Sequence, residues 1–237
     1  MKNLCILLLG LFCYSYSHAQ AALLALIFGD KIASEKFHLS VDAGLNLSSM
    51  PGLQQQKLMH GLYFGLGTFI KINDKWALTP EFKPLSPRGA KKVLPLSDYS
   101  STLTDVQYDI GLKYIDVPVL VQYKVTPRLF VSSGPQCSFL TSAKQISSGK
   151  LASGNSVDIQ ENLKPRFEPV YFSWPLEVGY SFSNLHKGKG MDIKFRYDLG
   201  LSNLMKSSDY GNSKGSTFHI FLSFPFVTQA EEAKSIK

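Results

Sequence analysis

The sequence predicts an all-β protein, an eight-stranded antiparallel up-and-down transmembrane β-barrel preceded by a short N-terminal helix. Three observations predict this fold. Apolar and polar residues alternate with a period of two over eight stretches of about ten residues each. The connections between these stretches are mostly long and short in turn, as in outer-membrane barrels. No uninterrupted apolar run is long enough to form a membrane-spanning helix.

Residues 1–19 have the features of a signal peptide. A lysine precedes an apolar core at residues 4–14, and small residues stand three and one positions before the bond between Ala19 and Gln20. We therefore expect export, with cleavage at that bond. Cleavage would leave one of the three cysteines, Cys137, so the mature fold would have no internal disulfide bond.

Residues 20–36 are predicted to form a short helical segment ahead of the barrel. Apolar residues between Leu23 and Ile32 recur near helical spacing, and Lys31 and Glu35 stand four residues apart. Two interpretations are open. The segment is either a helix resting at the barrel mouth or membrane interface, or a plug or docking helix for a protein partner.

The barrel is predicted between residues 37 and 227, followed by a polar C-terminal tail at 228–237. Its clearest strand is 191–202, where apolar residues occupy one face without exception and four charged residues lie on the other. A helix would scatter those charges around its circumference. The predicted strands are 37–47, 62–72, 76–85, 115–124, 129–140, 170–182, 191–202 and 217–226.

The connections sort by length along the chain. Short turns are predicted at 73–75 and 125–128, and an intermediate connection at 183–190. Long loops are predicted at 48–61, 86–108 and 141–169, and a connection of medium length at 203–216. In outer-membrane barrels the long loops face outward and the short turns face the periplasm. Arg88, in the second long loop, is thus expected on a polar surface facing lipopolysaccharide. A surface for adhesion or for a protein partner is the alternative.

The charged face of each strand decides between a barrel in lipid and an exported soluble β-domain. Outward aromatic residues gather near strand ends, which is typical of the girdles at membrane interfaces and favours lipid. The charged face then points into the lumen. The predicted lumen charge network is Asp42, Lys71, Glu81, Lys83, Asp116, Lys124, Glu177, Asp192, Lys194, Arg196 and Asp198. Because its charges nearly balance, they can pair, and we predict a closed lumen without porin conductance.

No catalytic, cofactor-binding or metal site is predicted. The histidines lack the spacing of metal ligands. His219 faces the predicted lumen beside acidic strands, where a Ser-His-Asp arrangement is conceivable, but no nucleophile motif accompanies it. The formal net charge of +7 is better explained in an exported protein by loops facing an anionic surface than by nucleic acid.

Three segments carry a resemblance to a known family. They are residues 22–31 (ALLALIFGDK), residues 114–123 (YIDVPVLVQY) and residues 196–203 (RYDLGLSN). On these segments the chain resembles the PorT-like family of small outer-membrane β-barrels. The resemblance spans nearly the whole mature chain and implies the barrel fold. It implies little about activity, although the family takes its name from a component of a secretion system.

We therefore expect an integral protein of the outer membrane with a structural or loop-mediated binding role. Its expected partners are outer-membrane lipid and lipopolysaccharide, together with a protein partner at the outer loops or the N-terminal helix. The alternatives are an accessory role in a protein secretion machinery and, less favoured, a lipid-modifying enzyme.

Overall fold

The structure, a computed structural model, describes residues 36–51, 53, 57–96, 103–182, 190–206 and 213–226. The predicted signal peptide, the polar tail and the predicted N-terminal helix up to residue 35 lie outside these described residues. Within them, no helix is both long enough and apolar enough to cross a bilayer.

Ten strands make up nearly all of the regular structure in the described residues. They are β1 (Phe37–Ser49), β2 (Lys57–Lys71), β3 (Trp76–Lys91), β4 (Thr104–Lys124), β5 (Leu129–Ser133), β6 (Gln136–Lys150), β7 (Ser156–Asn162), β8 (Val170–Ser181), β9 (Asp192–Gly200) and β10 (Ser216–Phe226). A single 3-10 turn, Lys164–Arg166, stands between β7 and β8. The all-β prediction is confirmed.

The strands form a closed antiparallel barrel. Neighbours in sequence pair from β1 to β5, from β6 to β7 and from β8 to β10, and β10 pairs with β1 to complete the cycle. Strands β5 and β6 occupy one place in the wall, since both lie between β4 and β8. Only Gly134 and Pro135 separate them, and a Cβ on Gly134 would stand 2.2 Å from the Val119 carbonyl oxygen. The barrel wall thus has eight members, and β7 pairs with β6 beyond it.

Several strands are longer than the sequence predicted, always at the end that carries the long connections. Strand β2 begins at Lys57, β3 continues to Lys91, and β4 begins at Thr104. Strands β6 and β7 form a hairpin inside the predicted loop 141–169. The predictions for these loops were wrong in part because, beyond the bilayer, polar residues cover the outside of the wall and apolar residues turn inward. In β4, Ile110 and Leu112 are buried inside the barrel whereas Val121 is exposed outside, so the apolar positions shift by one along the strand.

Burial runs opposite to that of a soluble protein. Large apolar side chains point outward and are exposed, with Leu62 at 69% and Leu176 at 52%. Charged side chains such as Asp42 and Lys83 point inward and are fully buried. We call the end with the connections around residues 73–75 and 125–128 the turn end, and the opposite end the loop end.

Candidate functional site

The barrel interior has three layers along its axis. An apolar cluster fills the loop end, a charge network fills the middle, and a cavity opens at the turn end. Side chains fill the interior because every second residue of each strand points inward.

The apolar cluster closes the loop end. Tyr171 anchors it by donating its hydroxyl proton to the Gly215 carbonyl oxygen at 2.8 Å. Sequence reasoning predicted only charges in the interior and missed this layer, since it assigned apolar residues to the lipid-facing side and placed most of these segments in loops. The cluster comprises Met50, Ala90, Val93, Tyr108, Ile110, Leu112, Tyr114, Leu140, Ala143, Leu163, Phe167, Tyr171, Leu204 and Met205.

Arg196 is the hub of the charge network. Its Nη1 lies 2.7 Å from Glu81 Oε2, and its Nη2 lies 2.8 Å from Glu81 Oε1. Its Nε donates to Glu177 Oε2 at 2.9 Å, and Nη1 donates to the Tyr63 hydroxyl at 3.3 Å. Glu81 also lies 3.0 Å from Lys83 Nζ, which in turn donates to Asp42 at 2.6 Å. Buried charges need such partners, because an uncompensated charge in an interior costs several kcal/mol.

Asp198 is the centre of a second group of polar side chains. His219 Nε2 lies 3.0 Å from Asp198 Oδ2, and Gln136 Nε2 donates to the same oxygen at 3.2 Å. Arg88 Nη2 lies 3.8 Å from it and donates to Asp116 Oδ2 at 2.6 Å. Four strands therefore contribute to this group in addition to the β9 strand of Asp198.

Phe221 provides an aromatic surface for the buried cations. Its ring centroid lies 4.8 Å from Lys83 Nζ, 5.7 Å from Lys194 Nζ and 5.1 Å from Arg196 Cζ, all within range of a cation–π interaction. Gly44 lies against the β10 strand that carries this residue, since a Cβ there would stand 2.2 Å from the Ile220 carbonyl oxygen and 2.4 Å from Phe221 Cβ. Close approach of the two strands therefore requires glycine at position 44.

The turn-end cavity has a volume of about 430 Å³. Buried residues line its inner part, among them Glu81, Phe130 and Lys194. Residues of the two short turns line its mouth. There the pKa of the Asp74 carboxyl lies below its ordinary value because the Lys71 ammonium hydrogen-bonds to it at 2.7 Å.

The structure places most of the predicted lumen residues inside the barrel. The buried ones are Asp42, Glu81, Lys83, Asp116, Glu177, Lys194, Arg196 and Asp198. Asp192 is half-buried near the turn end, at the first position of β9. Lys71 and Lys124 instead are exposed at the cavity mouth, because each is the last residue of a strand that ends in a turn.

Arg88 corrects the sequence prediction most clearly. It was expected in an exposed loop, yet its side chain is 4% exposed and lies over the rings of Tyr114 and Tyr171. The physical reason is that β3 continues past the bilayer-length stretch, so its inward positions still point into the barrel. The prolines at 80, 84 and 87 in β3 obscured this continuation, since proline is a poor strand signal.

His219 has few features of a catalytic base. It is 1% exposed, and its ring packs against Tyr63 with centroids 4.7 Å apart. Among the described residues, its Nδ1 has no hydrogen-bond partner and no serine hydroxyl bonds to its ring. In the same part of the chain, no cluster of His, Cys, Asp and Glu could hold a metal ion.

Comparisons with known proteins agree with this architecture. A family model described as "Outer membrane protein beta-barrel domain" matches residues 28–206. Among the curated protein sequences compared with the chain, none matches.

Several solved structures are similar to the chain at low identity. Ail, the attachment invasion locus protein of Yersinia pestis, is 15% identical over 81% of this chain and 99% of that chain, with a TM-score of 0.41. Neisserial surface protein A is 10% identical over 82% of this chain and 98% of that chain, with a TM-score of 0.42. OprG from Pseudomonas aeruginosa is 13% identical over 84% of this chain and 100% of that chain, with a TM-score of 0.40.

Proposed function

The chain belongs to the outer membrane protein β-barrel domain family and lies in the outer membrane, and on this premise we propose a closed-lumen barrel that acts through its loop end. The observation that carries the proposal is the filled interior. The apolar cluster and the charge network occupy the loop end and the middle of the barrel. A solute has no wide path through such an interior, so the function falls to the membrane-facing wall and the end surfaces.

The proposed binding surface is the polar exterior of the loop end. Nine exposed basic residues lie there in the described part of the chain: Lys57, Lys92, Lys113, Lys144, Lys150, Lys164, Arg166, Lys206 and Lys214. The exposed acidic residues there are Asp105 and Asp158, with Asp109, Glu161 and Glu168 half-buried. This positive excess suits an anionic partner, and we propose the phosphate groups of lipopolysaccharide.

A conductance measurement tests the closed lumen. The purified protein is reconstituted into planar bilayers and recorded over a range of voltages. We expect no large, stable channels, because opening the lumen would separate the buried ion pairs. Stable openings of porin size from pure protein would contradict the proposal.

A charge-reversal experiment tests the loop-end surface. The triple variant Lys92→Glu, Lys164→Glu, Lys206→Glu should bind lipopolysaccharide at least about 10-fold more weakly, since each basic residue near an anionic surface contributes about 1 kcal/mol. Binding is measured by titrating lipopolysaccharide against the protein in nanodiscs.

The matched control for that experiment reverses three charges at the opposite end. The variant Lys75→Glu, Lys124→Glu, Arg128→Glu changes the net charge equally but should retain the affinity for lipopolysaccharide. Equal losses in the two triple variants would show a general charge effect and refute a loop-end site.

An accessory role in a protein secretion machinery is the second candidate. The PorT-like resemblance suggests it, and the open cavity at the turn end offers a surface for a partner. The chain also enters the barrel at this end, where the Lys71 backbone N–H donates to the Lys36 carbonyl oxygen at 2.7 Å. Co-purification from gently solubilised membranes tests this role, because an accessory protein should bring other subunits with it.

We propose no enzymatic activity. The test is hydrolysis of labelled phospholipid by the purified protein, with His219→Ala as the comparison. Activity that this substitution abolishes would overturn the proposal.

A further inference from the structure

Lys194 stands apart from the other buried cations of the barrel. Its side chain is 7% exposed, yet among the described residues its ammonium forms no hydrogen bond and no ion pair within 4 Å. The ring centroids of Phe130 and Phe221 lie 6.0 Å and 5.7 Å from its Nζ. An ammonium carries three donors, and because Lys194 Nζ is not among the fully enclosed polar atoms without a partner, these donors reach accessible space beside it.

Four carboxylates act on Lys194 through their charges, namely Asp42, Glu81, Glu177 and Asp192. The first three each lie within 3.0 Å of Lys83 or Arg196, and Lys194 adds a third positive charge to those two cations. None of the four forms an ion pair within 4 Å of the Lys194 ammonium, so its hydrogen-bond donors are not taken up by them. The donors of Lys194 are directed instead to the space beside it, which is the turn-end cavity.

The turn-end cavity is suited in size and composition to a small organic ligand. Its volume of about 430 Å³ falls within the usual range for ligand pockets. Apolar surface comes from Phe69 and Phe130. Polar groups complete the wall, including the hydroxyls of Ser40, Thr79 and Ser223 and the carboxylates of Glu81 and Asp192.

Basic residues dominate the mouth of the cavity. Lys71, Lys75, Lys124 and Arg128 are exposed there, and the nearby carboxylate of Asp74 is bound to Lys71. A mouth lined by one sign of charge raises the local concentration of ligands of the opposite sign. The entrance and the buried ammonium thus favour the same class of ligand.

We propose that the turn-end cavity binds a small organic anion. The acidic group of the anion, a phosphate or carboxylate, accepts hydrogen bonds from Lys194 Nζ, and its apolar part packs against Phe130. This site lies at the opposite end from the proposed loop-end surface, and its existence does not depend on that surface.

The probe for this site is 1-naphthyl phosphate, which combines a phosphate with an apolar fluorescent ring. It is titrated at low salt against the full mature protein in nanodiscs, with empty nanodiscs as the blank. We expect saturable binding that weakens as salt is added. Inorganic phosphate and 1-naphthol, which each lack one of the two features, should bind more weakly.

The decisive variant is Lys194→Met, which keeps most of the side-chain volume and removes the charge. Loss of a charge-assisted hydrogen bond should weaken probe binding roughly 10- to 100-fold. Lys36→Met removes the same charge from an exposed position at the turn end that does not line the cavity, and it should leave affinity unchanged. Equal affinity of Lys194→Met and the unsubstituted protein, or absence of saturable binding to the latter, would overturn the proposal.

A measurement on the unsubstituted protein covers the case in which Lys194→Met does not fold. Intermolecular nuclear Overhauser effects are recorded between the naphthalene protons and the ring protons of Phe130. We expect these contacts, since Phe130 lines the cavity and its ring lies 6.0 Å from Lys194 Nζ. Saturable binding with contacts only to residues outside the cavity would refute the site.

Discussion

Removing Arg196 should strand a buried carboxylate and destabilise the barrel. In the described residues, Glu177 has Arg196 as its only hydrogen-bonding or ion-pairing partner within 4 Å. Glu81 would still retain Lys83 at 3.0 Å. Arg196→Met therefore leaves one carboxylate uncompensated, and breaking a buried pair in this way costs about 3–5 kcal/mol of unfolding free energy.

A double-mutant cycle separates this stranded charge from lost packing. Glu177→Gln alone leaves Arg196 bound to both oxygens of Glu81, so it should cost only about 1.5–3 kcal/mol. In the double variant no charge is stranded at position 177. We expect the double variant to be no less stable than Arg196→Met alone. The cost of Glu177→Gln then disappears in the double variant, so the coupling energy between the two positions is at least about 1.5 kcal/mol.

The assay is equilibrium urea unfolding in lipid vesicles, followed by the fluorescence of Trp76 and Trp174 on the outer face. Arg128→Met serves as the matched control, because it removes an exposed arginine and should change stability by about 0.5 kcal/mol or less. If the destabilisation of the double variant equals the sum of the two single values within about 0.5 kcal/mol, the pairing argument is refuted.

Two further predictions concern packing on the inner and outer faces of the wall. A Cβ on Gly179 would stand 2.1 Å from the Phe130 ring, so Gly179→Ala should cost about 1–3 kcal/mol in the same unfolding assay. Gly111→Ala should cost less, because the nearest atom to a Cβ at that position is 3.8 Å away. Equal costs for the two substitutions would contradict the close packing of Phe130 on Gly179. On the outer face, Leu176→Arg near the middle of β8 should lower the free energy of unfolding in lipid by about 2–4 kcal/mol. Leu151→Arg at the loop end should lower it by only about 0–1 kcal/mol. Similar costs at the two leucines would mean that Leu176 does not face the hydrocarbon.

The barrel itself was predictable from local sequence pattern. Alternation with a period of two assigns each residue of a strand to one of two faces, and that assignment needs no knowledge of other strands. The inward direction of Asp42, Glu81 and Lys194 followed in this way. The pattern failed for the outer part of β4, where apolar residues face inward instead of lipid, and for the outer part of β3, where prolines obscured the strand. Arg88 was consequently predicted in a loop.

The pairing of the buried side chains was decided only by tertiary structure. Arg196 and Glu81 lie 115 residues apart in sequence and meet because the stagger of the strands brings β3 opposite β9 across the lumen. The turn-end cavity likewise depends on the space that side chains from several strands leave unfilled. Alternation is a property of one strand, so the sequence by itself determined which residues face inward. Which of them touch, and where room remains, depends on the register and curvature of the closed wall.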